Sequence, residues 1–248
     1  MNIYKMKNFF PFIISFFFLL ISVPTVTQAQ MFSVNDPERS SENITTPTNF
    51  LSIGLSAATF DFTGENVAEN NRLDFDDMLF TIQFNTQGLD LSTSFGGGLT
   101  GMDDQSYVNL SARIYNNFPL KRSQKFRLSL PIQLTTDLTQ ISRDISSADF
   151  RQSSLVFGSG LASAIRPSKR LSFQLKATPN YGFSFSQGSV FGGSLFRFDG
   201  VANILIHNVF GDRSLVIGYN FDFKNYDIDG DINDYEFTAH TLTIGIGF

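Results

Sequence analysis

The last nine residues of the chain, from His240 to Phe248, place the strongest constraint on its fold. Leu242, Ile244, Ile246 and Phe248 alternate with threonine and glycine, and the final residue is aromatic. An alternation of period two puts an apolar row on one face of a strand and a small or polar row on the other. The segment therefore predicts a two-faced β-strand, either of a membrane barrel or at the half-buried edge of a soluble β-sandwich.

The N-terminus predicts an exported protein. Lys5 and Lys7 precede an almost wholly apolar run over 9–23, and the small-residue pattern that ends at Ala29 follows. This is the order of a secretory signal peptide, and we expect cleavage near Ala29. An uncleaved transmembrane helix is the alternative, but the run contains Pro11 and is shorter than the ~20 residues that span a bilayer.

Composition narrows the fold class further. The chain has no cysteine, so we expect neither disulfides nor thiol chemistry in the exported protein. No long apolar run follows the signal, which argues against a helical membrane protein and leaves the β-barrel as the fold that satisfies every backbone group in lipid. A formal charge of −5 without basic faces disfavours binding to nucleic acid.

Ten segments after residue 48 show the alternating pattern and predict ten strands, with eight or twelve as alternative counts. They lie at about 50–62, 74–86, 88–98, 105–117, 124–138, 151–166, 170–185, 194–208, 213–224 and 235–248. The predicted fold is all-β: a closed, antiparallel, up-and-down transmembrane barrel. The predicted organisation is a signal peptide over 1–29, a flexible periplasmic segment over 30–48 and the barrel over 49–248.

The connections between these strands alternate in length. Short ones fall at 86–87, 119–123, 167–169 and 210–213, and basic residues lie at the last three. Longer ones fall at 63–73, 99–104, 139–150, 186–193 and 225–234, and all but 186–193 carry acidic residues. Short periplasmic turns and long outer loops are typical of membrane barrels. Aromatic residues near strand ends predict an interfacial girdle: Phe60, Phe62, Phe75, Tyr107, Phe183, Phe185, Phe221, Phe223, Tyr235 and Phe237.

The signal peptide, the alternating strands and the terminal Phe248 resemble the small bacterial outer-membrane β-barrels, a broad class that includes the OmpX-like and PorT-like families. The resemblance covers residues 49–248. It implies an integral protein of the bacterial outer membrane that contacts outer-membrane lipid. It also implies that Leu242, Ile244, Ile246 and Phe248 form an insertion signal for the barrel-assembly machinery. Any protein partner in the periplasm or outside the cell stays open.

Six charged residues fall on predicted inward faces and are the expected lining of the lumen: Arg113, Arg127, Lys176, Arg197, Asp199 and Asp222. They would either surround water or form a salt-bridged plug. A ten-stranded barrel is only slightly wider than the eight-stranded type, whose interior side chains can fill. We therefore expect a mostly filled or very narrow lumen.

A weak metal candidate lies near the C-terminus. Asp227, Asp229 and Asp231 are closely spaced carboxylates, as calcium prefers. The spacing of an EF-hand is not met, because Gly230 stands at the fourth position and Ile232 at the sixth. An acidic hairpin tip is the preferred interpretation, and we expect no metal and no cofactor.

Signals for catalysis are weak. The strand phase places His207 inward and His240 outward, so the two histidines cannot share one site. No nucleophile elbow or phosphate loop occurs in the sequence. We expect no enzyme, and a structural, adhesive or narrow-passage role with recognition by the long loops. A passive small-solute pore and a surface barrel enzyme acting on lipid or peptide are the alternatives.

Overall fold

The described part of the chain folds almost wholly into β-strands. The computed structural model describes residues 49–65, 73–102, 105–143, 149–186, 192–228 and 230–248. The strands are β1 (Phe50–Phe62), β2 (Phe75–Thr86), β3 (Leu89–Gly96), β4 (Gln105–Arg122), β5 (Phe126–Arg143), β6 (Asp149–Ser159), β7 (Leu161–Ser168), β8 (Leu171–Ser186), β9 (Gly193–Phe210), β10 (Arg213–Ile228) and β11 (Tyr235–Gly247). The predicted signal peptide and the segment over 30–48 lie outside the described residues.

The strands pair antiparallel and the sheet closes on itself. β1 pairs with β2 on one side and with β11 on the other, where Phe50 stands opposite Gly247. β6 and β7 keep one register against β5 and β8 on both sides of Gly160, so they form a single barrel strand. The barrel therefore has ten strands, and the predicted fold class and strand count are confirmed.

The closed register carries a fixed stagger. Partners traced from Phe50 around the sheet lead back to β1 at Phe62, twelve residues further along the same strand. A stagger of this kind tilts the strands by about 35–45° to the barrel axis. The tilt brings inward residues from strands far apart in sequence to one level of the lumen.

The two ends of the barrel differ as the loop lengths predict. At the short-turn end, Gly88 and Gly211 adopt positive φ angles of 92° and 65° in tight turns, a conformation that glycine takes without strain. Both ends of the described barrel also lie there, because the Phe248 N–H donates to the Asn49 carbonyl at 3.0 Å. The opposite end, here the long-loop end, carries the longer connections. The β5–β6 connection is shorter than predicted, since β5 continues to Arg143.

The apolar rows point away from the barrel axis. Leu242 is 67% exposed and Ile244 is 55% exposed, while Thr241 and Thr243 between them are buried. Ile204 is likewise exposed and Leu128 is half-buried, so these side chains do not share an interior core. An outward apolar band of this kind is the surface of a membrane barrel, and the fold is that of an outer-membrane β-barrel. Within the described residues, no helix is long and apolar enough to cross a membrane.

Candidate functional site

Aromatic side chains fill the interior near the long-loop end. We call Phe60, Phe75, Tyr107, Phe150, Tyr226, Tyr235 and Phe237 the aromatic layer. Phe60 is fully buried at its centre, with ring centroids 4.7 Å from Tyr235 and 5.4 Å from Phe150. The Tyr107 and Phe237 rings stack at 5.8 Å. These spacings are those of attractive aromatic pairs, so the rings form a continuous apolar layer inside the barrel.

The aromatic layer corrects the predicted girdle. Phe60, Phe75, Tyr107, Tyr235 and Phe237 were expected at the membrane interface, but all five are buried inside the barrel. The reason is strand phase: a residue near a strand end still alternates with its neighbours, and Phe60 lies on the same face as the inward Ser52 and Ser56. Among the remaining candidates, Phe183 is exposed on the outer surface.

A network of opposite charges lies below the aromatic layer. We call it the ionic layer, and it contains four cations and four carboxylates: Arg113, Lys176, Arg197, Lys224, Asp90, Asp137, Asp199 and Asp222. Its formal charge is therefore balanced. Buried ions are tolerated mainly when they are paired, and each of the eight side chains forms at least one ion pair with another member of the layer.

Asp199 is the centre of the ionic layer. Its Oδ1 atom lies 2.8 Å from both Arg113 Nη2 and Arg197 Nη2. Its Oδ2 atom accepts hydrogen bonds from Asn180 Nδ2 at 2.9 Å and from Gln133 Nε2 at 3.2 Å. Both oxygens are thus satisfied, and Asp199 joins β4, β5, β8 and β9 across the lumen.

Arg197 and Lys224 extend the ionic layer up to the aromatic layer. Arg197 Nη1 donates to Asp137 Oδ2 at 2.6 Å, and Arg197 Nε lies 3.0 Å from Asp222 Oδ1. Lys224 Nζ lies 3.6 Å from Asp137 Oδ1 and 5.2 Å from the centre of the Phe237 ring. The ammonium group of Lys224 therefore contacts both layers.

The structure places five of the six predicted lumen residues in the ionic layer: Arg113, Lys176, Arg197, Asp199 and Asp222. Arg127 also faces inward but lies nearer the short-turn end. Sequence reasoning missed Asp90, Asp137 and Lys224. The signal was present, since each shares the inward phase of its predicted strand.

A cavity of about 640 Å³ extends from the aromatic layer, past the side chains of the ionic layer, to the short-turn end. We call it the lower cavity. Leu79, Tyr107 and Phe237 line its upper end, and Gln87, Gly88, Asn117 and Arg127 line its lower end. The interior is thus filled above and hollow below. The expectation of a mostly filled lumen describes its upper half only.

The two histidines occupy separate environments. His207 is buried inside the barrel, with Nε2 2.7 Å from Ser172 Oγ and Nδ1 3.0 Å from Ser214 Oγ. His240 lies on the outer face, where Nδ1 is 2.8 Å from the Tyr219 hydroxyl. Both rings therefore have hydrogen-bond partners, and they lie on opposite faces of the sheet.

Three carboxylates converge at the tip of the β10–β11 connection. Oxygen atoms of Asp227, Asp231 and Asp234 lie within 4.8 Å of one another, and Asp229 lies outside the described residues. Asp234 Oδ1 accepts the Ile228 N–H at 2.7 Å. Partial burial, reinforced by the Asp227 and Asp231 charges, raises the pKa of Asp234 above its usual value. The cluster is thus an acidic hairpin tip, with one oxygen engaged by the backbone.

Three residues of the proposed insertion signal lie on β11 and Phe248 follows its last residue, and the four form one exposed row. Leu242, Ile244, Ile246 and Phe248 all point outward, and the row lies beside β1 at the closure of the barrel. Their contact with an assembly machinery stays a prediction.

Comparisons with known proteins find distant likenesses in solved structures. No protein-family model matches the chain, and no curated protein sequence matches it. The outer-membrane protease OmpT from Escherichia coli is similar at 11% identity and a TM-score of 0.43, over 84% of this chain and 99% of that one. Ail, the attachment invasion locus protein of Yersinia pestis, is similar at 13% identity and a TM-score of 0.25, over 81% and 97%. The class of this chain, a ten-stranded outer-membrane-type barrel, rests on its own register and surface.

Proposed function

We propose that this chain is an integral protein of the bacterial outer membrane whose barrel is a sealed anchor, with recognition carried by the long-loop end. The observation that supports the proposal is the aromatic layer stacked on the ionic layer. An ion crossing the lumen would have to pass the paired charges of the ionic layer and displace the packed rings of the aromatic layer, which is costly in a close-packed interior. A structural or adhesive role therefore fits the interior better than a passive pore.

The long-loop end supplies a fixed platform for such a role. The Thr63 N–H donates to the Asp234 carbonyl at 2.9 Å, and the Glu65 N–H donates to the Asp231 carbonyl at 3.0 Å. These bonds tie the start of the β1–β2 connection to the β10–β11 connection. Loops held on a rigid scaffold are the usual carriers of binding.

Two apolar side chains project from this end of the barrel. Leu99 is 99% exposed in the β3–β4 connection, and Ile232 is 46% exposed at the β10–β11 tip. Exposed apolar side chains at loop tips provide contact area for a partner surface. We therefore propose Leu99 and Ile232 as contact residues of an adhesive surface.

Conductance in planar bilayers tests the sealed anchor. Purified full-length protein, shown to be folded by heat-modifiable gel migration, is expected to leave the bilayer electrically silent. Steady channel openings that scale with salt concentration would refute the seal and favour the pore.

A cell-retention assay tests the adhesive surface. Cells that produce the Leu99→Ser and Ile232→Ser double variant should adhere less to one another and to matrix-coated surfaces than cells that produce the original protein. Leu120→Ser is the matched control, since Leu120 is exposed at the opposite end of the barrel. Equal retention of all three cell types would contradict an adhesive role for these tips.

A further inference from the structure

The lower cavity has the size and access of a ligand site. Its volume of about 640 Å³ lies within the range of roughly 300–1,000 Å³ that small-molecule pockets occupy. Gln87, Asn116 and Asn117 line its lower end and are exposed, so solvent enters from the short-turn end. Tyr107 and Phe237 of the aromatic layer limit it above. The cavity is therefore a blind pocket open toward one compartment.

The ion-paired side chains of Asp90, Asp199 and Asp222 line part of this pocket, and amide and hydroxyl groups line much of the rest. They belong to Ser56, Thr81, Gln83, Asn85, Ser92, Ser94, Asn109, Ser129, Gln174, Asn203, Asn220 and Thr241. The Oδ1 atom of Asn85 is buried and has no hydrogen-bond partner among the described residues. Buried polar atoms normally have partners, so this acceptor is available to a donor group of a bound solute.

Two cationic side chains on one wall of the pocket, Arg127 and Lys176, keep hydrogen-bonding capacity for a ligand. The side chain of Arg127 forms no ion pair and no hydrogen bond with any described residue. Lys176 Nζ lies 3.9 Å from Asp90 Oδ2 and donates to the Gln133 amide oxygen at 3.2 Å. Both ends of this wall thus offer positive charge with spare hydrogen-bonding capacity.

The sheet register leaves room between these two cations. Arg127 stands opposite Ala164, and Ala164 stands opposite Gln174. Two residues further up, Ser129, Ala162 and Lys176 form the equivalent row. Only the small side chains of Ala162 and Ala164 lie on the strand between Arg127 and Lys176, so an anionic group fits there without displacing a large side chain.

We propose that the lower cavity binds a small, carboxylate-bearing, hydrogen-bonding solute from the compartment at the short-turn end. Arg127 and Lys176 hold the carboxylate through charge-assisted hydrogen bonds, which are the stronger kind. The amide and hydroxyl lining contacts the polar body of the solute. This binding site goes beyond the sealed anchor and does not depend on the outer loops.

Charge at the mouth of the pocket favours the same class of solute. Basic residues cluster at the short-turn end: Lys121, Arg122, Lys125, Arg166, Lys169, Arg170 and Arg213. Asp212 is also exposed at this end, so the rim is predominantly positive, and an excess of one sign raises the local concentration of oppositely charged solutes. The rim therefore supports entry of anions into the lower cavity.

Calorimetric titration of the full-length protein in detergent micelles tests the proposal. The probes are digalacturonate as an acidic sugar, an alanyl-aspartate dipeptide as an acidic peptide, and maltose as a neutral solute of similar size. At least one acidic probe should bind with a dissociation constant of about 1 mM or below, and maltose should not bind. Binding of digalacturonate alone would indicate an acidic sugar as the ligand, and binding of the dipeptide alone would indicate an acidic peptide.

Variants locate the binding. Arg127→Gln and Lys176→Gln should each raise the dissociation constant of the acidic probe about tenfold. This change corresponds to the loss of one charge-assisted contact of roughly 1.4 kcal/mol. Arg213→Gln is the matched control, since it removes a rim charge outside the pocket lining. Absence of binding by both acids, equal binding of maltose, or an equal loss in Arg213→Gln would overturn the proposal. Arg127→Lys should keep part of the affinity that Arg127→Gln loses, which separates lost charge from misfolding.

Discussion

Arg197 Nη1 lies 2.6 Å from Asp137 Oδ2 inside the barrel, between residues that are 60 positions apart in the chain. Arg197 lies on β9 and Asp137 lies on β5, two strands that are not neighbours in the sheet. The pair therefore crosses the lumen instead of following the wall. It links the ionic layer to the aromatic layer through Lys224.

Removal of Asp137 should destabilise the barrel strongly. Asp137→Ala leaves the ionic layer with one unbalanced positive charge, while Arg197 and Lys224 keep their contacts with Asp222. A buried charge that loses its only partner costs about 3–5 kcal/mol, which is the upper bound here. Urea titration in lipid vesicles should show an unfolding midpoint well below that of the original protein. Asp212→Ala is the control, since Asp212 is exposed in a short turn. If both variants unfold at the same midpoint, Asp137 does not support the fold.

Gly158 should not tolerate a larger side chain. A Cβ atom at this position would collide with the side chain of Asn180 and approach the Pro179 carbonyl at 2.8 Å, and Asn180 in turn holds Asp199. Overpacking of this kind costs about 1–3 kcal/mol, so Gly158→Ala should lower the urea midpoint. Gly98→Ala places its methyl group in open space and should leave the urea midpoint unchanged. The opposite ranking of the two variants would show that the space beside Asn180 is not limiting.

Much of the fold follows from local sequence pattern. The alternation of period two is a local property of each strand. It predicted all ten barrel strands and the outward direction of Ile244 and Phe248. The same phase also placed Asp90, Asp137 and Phe60 inward, although their roles were missed. The inward or outward direction of each side chain is thus the part of the architecture that a single sequence predicts.

The pairing of interior side chains does not follow from local pattern. Arg197 meets Asp137 only because the sheet closes with a stagger of twelve residues, which depends on the register of every strand pair. A shift in one register would bring a different carboxylate opposite Arg197. The lower cavity depends on the same register, because Ala162 and Ala164 open space only where they lie between Arg127 and Lys176.

The direction of the apolar rows can be measured with a single fluorophore, since the chain contains no tryptophan. Ile244→Trp should place an indole on the outer face, where brominated lipids quench its fluorescence. Tyr115→Trp should place it at the lower cavity, where aqueous acrylamide quenches it and brominated lipids do not. If brominated lipids quench the two variants equally, or quench Tyr115→Trp alone, the assignment of faces is wrong.

The most direct measurement of a barrel closed at one end is two-sided thiol labelling, because the chain has no cysteine of its own. Ser92→Cys places a single thiol in the lower cavity, and Ile232→Cys marks the long-loop end. In vesicles of known orientation, a small membrane-impermeant reagent should label Ser92→Cys from the short-turn side only, and Ile232→Cys from the long-loop side. Labelling of Ser92→Cys from the long-loop side at a comparable rate would contradict closure of the lumen by the aromatic layer.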